Sequence, residues 1–215
     1  MKVTYRLVPF GADVPPSSRD LAHLHSTLLP TSRLTLLGRR FLERFYYRIL
    51  PLEGLIFGAV AYVDDCPAGF VVATHDAAGS LRAVLRRRWP ALMWVMGTSV
   101  FVEPRRIAAI WRVGCMMAQQ GFATSSDADG EILSFGVLAA YRDPRFVRQS
   151  GLRIATDLLD GAITQLRMRG TRSIRALVET DNTPAKLFYI GLGWTLERTG
   201  ISRYGLSSVE FVCRT

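Results

Sequence analysis

The stretch RQSGLRIATDLL begins at Arg148 and follows the run EILSFGVLAAYR through a short DPRFV connection. A strand that ends in a basic, glycine-containing turn and passes into a helix makes an anion site. The first-turn N–H groups have no partner within the helix, the helix dipole is positive there, and Arg148 and Arg153 add charge. A phosphate or pyrophosphate suits such a turn. Further on, ETDNTPAKLFYIGLGW places Asn182 before a short helix that carries Phe188 and Tyr189 and ends at Gly191 and Gly193, just ahead of Trp194. An Asn in that position accepts from the first free N–H groups of the helix. Each feature also has a plain structural reading: Gly151 as backbone relief in a turn, Asn182 as a cap alone, and Tyr189 as core packing. Two groups suit proton transfer. Glu131 opens a strand, where burial raises a carboxyl pKa, and His75 closes another with titration near neutrality. His23 and His25 lie on a helix and rank below it.

These residues need elements to hold them. Val3 to Val8 alternates as a strand. Helices are expected over Ser18 to Leu29 and Leu34 to Leu50, the second with Leu37, Phe41, Phe45 and Ile49 along one face and Pro30 and Pro51 bracketing it. Residues 54–76 read as a hairpin turning at Asp64-Asp65-Cys66-Pro67. From Ala78 to Asp129 the texture changes to Trp, Met and Arg in two helix-like stretches, an insertion at about 80–125 in a single domain over 1–215. Such a stripe suits a lid or core, a subunit interface as in a homodimer, or, least favoured, a membrane surface. A strand over Glu131 to Ala139, a helix from about Gln149 to Arg169, a strand over Ser173 to Glu179 and a short helix over Pro184 to Ile190 follow. Two strands near Trp194 to Tyr204 and Leu206 to Cys213 close the chain. The alternation gives an α/β fold with helices on both faces of a sheet.

Composition bounds the function classes. Hydrophobic residues make up 49% and charged residues 21% of 215 residues, an ordinary globular mixture. The net charge is +9, yet of 27 basic residues only Lys2 and Lys186 are lysines, a bias that a GC-rich genome also produces. Basic residues are spread over the whole chain with no helix-turn-helix, zinc or RNA-binding aromatic signature, which argues against nucleic acid as the partner. Cys66, Cys115 and Cys213 lack the spacing of a disulfide framework or metal site, and no signal-like or spanning apolar run is present. A cytoplasmic protein without metal is the expectation.

The order R148-x-x-G151, amphipathic helix, strand, N182-x-x-A185-x-x-F188-Y189, G193-W194 resembles the GCN5-related N-acetyltransferase (GNAT) family, firmly over Glu131 to Trp194 and more loosely over the N-terminal elements. The resemblance implies a mixed sheet whose two central parallel strands splay apart, with acetyl-CoA as co-substrate lying in the gap. Its arm would pair with Val137, Leu138 and Ala139, and its pyrophosphate would rest on Arg148, Gln149, Ser150, Gly151, Leu152 and Arg153, with Asn182 and Tyr189 completing the cofactor site. Tyr189 would protonate the departing thiolate, and Glu131 matches the glutamate that acts as base in histone-modifying members, with His75 as its rival on the substrate side. Arg153 departs from the family's small residue there, and the loop before the motif is longer. The activity implied is acetyl transfer to a primary amine of a small molecule, an amino sugar being one candidate, by direct attack in a ternary complex. The alternatives are a protein N-acetyltransferase and a non-catalytic module binding CoA or nucleic acid.

Overall fold

The computed structural model describes residues 3–75, 128–203 and 206–214. The chain begins with β1 (Tyr5–Phe10), α1 (Ser18–Leu28), α2 (Arg33–Leu36), α3 (Arg39–Phe41), a π-helical turn (Leu42–Tyr46) and α4 (Tyr47–Leu52). The hairpin is β2 (Phe57–Val63) and β3 (Cys66–Thr74). After the undescribed segment come β4 (Gly130–Val137), α5 (Ala139–Arg142), α6 (Pro144–Ser150), α7 (Ile154–Met168), β5 (Ser173–Glu179), α8 (Thr183–Gly191), β6 (Thr195–Arg203) and β7 (Leu206–Arg214). The strands form one mixed sheet in the order β1-β2-β3-β4-β5-β7-β6. Every described pair is antiparallel except β4 with β5.

Alternation along the strands sends one set of side chains to each face, so the sheet carries two cores. On one face Ala59, Val71, Ile132, Ala176 and Phe211 pack under Leu158, Leu159, Ala162 and Leu166 of α7. On the other, Val60, Phe70 and Val72 pack against Leu21 and Leu24 of α1 and Phe41, Phe45 and Tyr47 beyond it. The hairpin turns at Asp64 and Asp65, both at positive φ (49° and 60°), the geometry of a two-residue primed turn whose twist matches its strands.

Four expectations need correction. The helix expected over Leu34 to Leu50 is broken, because Gly38 at φ 99° ends α2 and restarts the chain as α3. Pro51 lies inside α4 instead of ending it. The helix expected from Gln149 begins only at Ile154, since Gly151 at φ 71° terminates α6 and leaves three residues between helices. The strand expected to Ala139 stops at Val137, and Ala139 opens α5. The expected insertion at about 80–125 and Cys115 lie outside the described residues.

Candidate active site

The site begins where β4 and β5 part. They pair only over Gly130↔Ile174, Glu131↔Arg175 and Ile132↔Ala176. The closed end is clamped: the Asp129 carboxylate accepts from the N–H groups of Arg172 (3.0 Å) and Ser173 (2.8 Å). A Cβ on Gly130 would stand 2.7 Å from Thr171, so nothing larger fits there. One rung later a register shift in the β3–β4 ladder leaves Leu133 as an extra residue between the Ile132 and Ser134 pairings. Such a bulge bends its strand and sharpens the twist, which carries the rest of β4 away from β5. β4 stays tied to β3 on its other side, ending with the Leu138 N–H on the Ala68 carbonyl (2.8 Å). By alternation the backbone groups of Phe135 and Val137 then face the gap. Val137 therefore keeps its expected place on the gap edge. Leu138 bonds to β3 instead, and Ala139 has turned into a helix.

At the open end, α6 is capped by Asp143, whose Oδ1 accepts from the Arg145 N–H (2.7 Å), and ends on Gly151. The amides of Arg148, Gln149, Ser150 and Gly151 belong to α6 and its cap, and the Leu152 N–H is taken by Ser150 Oγ (3.2 Å). The amides left free at this turn are those of Arg153, Ile154, Ala155 and Thr156, which have no acceptor among the described residues. Arg148, Gln149 and Arg153 are exposed beside them, and a Cβ at Gly151 would meet nothing within 4 Å. The turn is open, positive and lined by free donors, which fits a diphosphate.

Asn182 caps α8 through Oδ1 on the Ala185 N–H (3.2 Å). The Tyr189 carbonyl receives the Trp194 N–H (3.0 Å), so the turn after the helix locks the tyrosine in place. Its ring is 4% exposed, edge-on to Trp194 (4.9 Å) and stacked on Phe211 (5.7 Å). Phe211 pairs with Ala176, which pairs with Ile132, so Tyr189 packs at the last closed rung, on the α7 face. Burial pushes its phenol above the ordinary tyrosine value, and no described residue hydrogen-bonds its hydroxyl. Phe188 reaches from α8 to stack on Phe135 of β4 (5.5 Å), across the gap.

The rung before it holds Glu131, on the opposite face of the sheet. It is 1% exposed, and its Oε2 accepts from both Nη2 (2.7 Å) and Nε (3.1 Å) of Arg175, itself 1% exposed. Two charge-assisted bonds thus engage the carboxylate of Glu131 with Arg175. The structure does not bring His75 to the gap. It is exposed, stacked on Phe57 (6.2 Å), and lines an open cavity of about 400 Å³ with Arg169 and Gly54. It follows Thr74, the partner of Glu131, and so stands about 20 Å along β4 from Val137 at roughly 3.3 Å per residue. Sequence reasoning missed Arg175 and Glu210, although each is a lone charge inside an apolar strand run, IRALV and VEFV.

His25 is buried in a polar chain. Its Nδ1 lies 2.6 Å from the Tyr47 hydroxyl and its Nε2 2.9 Å from Ser32 Oγ. The donors can be assigned. Thr35 Oγ1 gives its proton to the Leu29 carbonyl (2.7 Å), so Ser32, 3.0 Å away, must donate to Thr35. Ser32 then has no proton for His25, which must donate from Nε2 and accept from Tyr47 at Nδ1. The chain is complete with a neutral imidazole, and it pins α1, the turn after it and α4 together. Burial lowers the His25 pKa to about 4. No group of residues suited to holding a metal ion is found among the described residues, and no described helix is long and apolar enough to cross a membrane.

No protein-family model matches the sequence, and no curated protein matches it. Solved structures do match in shape. Arabidopsis thaliana NAA60 in complex with acetyl-CoA superposes with a TM-score of 0.55 at 16% identity, covering 98% of each chain. A GNAT-family protein from Desulfovibrio desulfuricans gives 0.53 at 12% identity, with 99% of each chain covered. The IAA acetyltransferase from Bacillus cereus gives 0.50 at 10% identity over 99% of this chain and 100% of its own. The chain thus has the GNAT fold, an α/β architecture with an open mixed sheet.

Proposed function

We propose that the protein is an acetyl-CoA-dependent N-acetyltransferase that moves acetyl to a primary amine of a small molecule by direct attack in a ternary complex. The observation that carries this reading is the parting of β4 from β5 after a single bulge, between a helix N-terminus and a buried tyrosine. Acetyl-CoA would supply the activated acyl group, and no metal is required. The first turn of α7, with Arg148 and Arg153, holds the diphosphate, and the backbone of Phe135 and Val137 pairs with the amides of the arm as a further strand would. Asn182 fixes the start of α8. The amine nitrogen attacks the thioester carbonyl, the C–N bond forms, the C–S bond breaks, and Tyr189 delivers its proton to the departing thiolate. Burial keeps that proton on the phenol at neutral pH. The amine must shed a proton before attack; Glu131 is the proposed base on the substrate side, and His75, exposed and about 20 Å along β4 from Val137, is less well placed for that task.

Thermal shift with acetyl-CoA, followed by thiol release across a panel of amines, tests the reading. Stabilisation by acetyl-CoA with amine-dependent thiol release is the expected result. Absence of both rejects it.

A further inference from the structure

The buried Glu131–Arg175 pair has a second carboxylate beside it. Glu210 of β7 is 2% exposed and lies on the same sheet face, with Oε1 3.9 Å from Arg175 Nη1 and Oε2 3.7 Å from Arg198 Nε, whose side chain is 47% exposed. Both contacts are too long for hydrogen bonds, and Oε1 has no hydrogen-bond partner among the described residues. The Arg175 hydrogen bonds near this carboxylate run to Glu131. A buried carboxylate oxygen left without a donor is costly. Native proteins rarely keep such a group unless a ligand or a reaction uses it.

Its place in the register gives the ligand. Glu210 pairs with Leu177 of β5, the first residue past Ala176, where β4 has left. It is therefore level with the opening of the gap. Tyr189 packs on one face of the sheet at that level, and Glu210 stands on the other, where α1 covers β3 and β4. With Arg175 and Arg198 beside it but beyond hydrogen-bond distance, Oε1 lacks a donor in contact, and an alkylammonium, a compact cation with several donors, supplies one.

We infer that Glu210 is the acceptor-binding carboxylate: its Oε1 receives the ammonium of the amine substrate at the mouth of the strand gap. This rests on the acetyltransferase reading for the identity of the ligand as acceptor, but the binding itself can be measured without turnover. It places the charged end of the acceptor on the α1 face, across the sheet from Tyr189, and selects amines that arrive protonated. Glu131, by contrast, accepts from Arg175.

The test uses the full chain saturated with CoA, and n-butylammonium chloride, n-butanol and sodium chloride as probes. Butylammonium should raise Tm beyond sodium chloride and butanol at equal concentration, and Glu210→Gln should abolish that difference. Ligand-free Glu210→Gln should melt at or above the wild-type temperature, since the substitution replaces a buried carboxyl group whose Oε1 has no donor among the described residues. For any amine that is turned over, KM should rise at least tenfold with kcat within about twofold. A lower ligand-free Tm, or failure of Glu210→Gln to fold, makes Glu210 a structural ion-pair partner and overturns the inference. So does a butylammonium effect that survives the substitution or is absent from wild type. Acetyl-CoA stabilisation and thiol release on the same samples report separately on the acetyltransferase reading: Glu210-dependent ammonium binding without thiol release would keep the site and dismiss that activity.

Discussion

Tyr189 and His25 are both buried, yet they differ in what their polar atoms do. The Tyr189 hydroxyl has no hydrogen-bond partner among the described residues, while its ring is held by Trp194 and Phe211. Tyr189→Phe therefore keeps the packing and removes only the proton. It should lower kcat by about 10², a typical value for a lost general acid, with Tm and CoA affinity little changed. A drop in Tm with unchanged turnover per folded molecule would make the residue a core member alone. His25 behaves in the opposite sense, because both ring nitrogens are engaged and only the neutral form satisfies the chain. Its folded pKa of about 4 lies below the ordinary 6.5, so between these values the unfolded chain binds the proton that the folded one refuses. The stabilisation is full above pH 6.5 and is lost as pH falls toward 4, about 3 kcal/mol in all. Melting curves at pH 7 and pH 5 should show the loss. His25→Gln, which can still donate and accept without titrating, should flatten it.

At the scale of elements, the turn between α6 and α7 is where the proposed anion binding can be tested. Gly151 adopts φ 71° and its missing Cβ would point into open space. Any substitution there pays a left-handed penalty of about 1 kcal/mol, but only a negative one opposes a diphosphate. Gly151→Ala and Gly151→Asp should thus lose similar stability, whereas CoA binding by calorimetry should weaken tenfold or more for Asp and far less for Ala. Equal effects of the two substitutions would move the anion site elsewhere. The β4 bulge is the other deciding element. Without the extra residue at Leu133, the ladder with β5 would continue past Ile132 and Ala176, and the gap would close.

Across the whole molecule, one buried arginine joins three strands. Arg175 of β5 bonds Glu131 of β4 and lies beside Glu210 of β7, under the face opposite α7. Arg175→Ala would leave two carboxylates buried together, and removing one partner of such a group costs about 3–5 kcal/mol. At roughly 2–4 °C per kcal/mol for a chain of this size, Tm should fall by about 10 °C. Scanning calorimetry at pH 7 checks this, and adding Glu131→Gln should recover part of the loss by removing one of the stranded charges. An unchanged Tm for Arg175→Ala would show that water reaches the cluster.

Local pattern determined much of this protein. Alternation in β1 and in the hairpin, the amphipathic spacing of α7, Asn182 before α8 and the RQSG turn are short-range features, so their elements stand within a few residues of where periodicity and capping put them. The ends that moved did so for local reasons that composition understates: Gly38 and Gly151 each adopt positive φ and stop a helix that periodicity alone would continue. Only the tertiary structure decided which strands meet. β7 inserts between β5 and β6, and this brings Glu210 to Arg175 across 35 residues of chain. Glu131 was legible as a strand-opening carboxylate, but its engagement by Arg175, 44 residues away, was not. A charge's role depends on the partner that the fold puts against it, and pairing between distant strands leaves no periodic mark in either one.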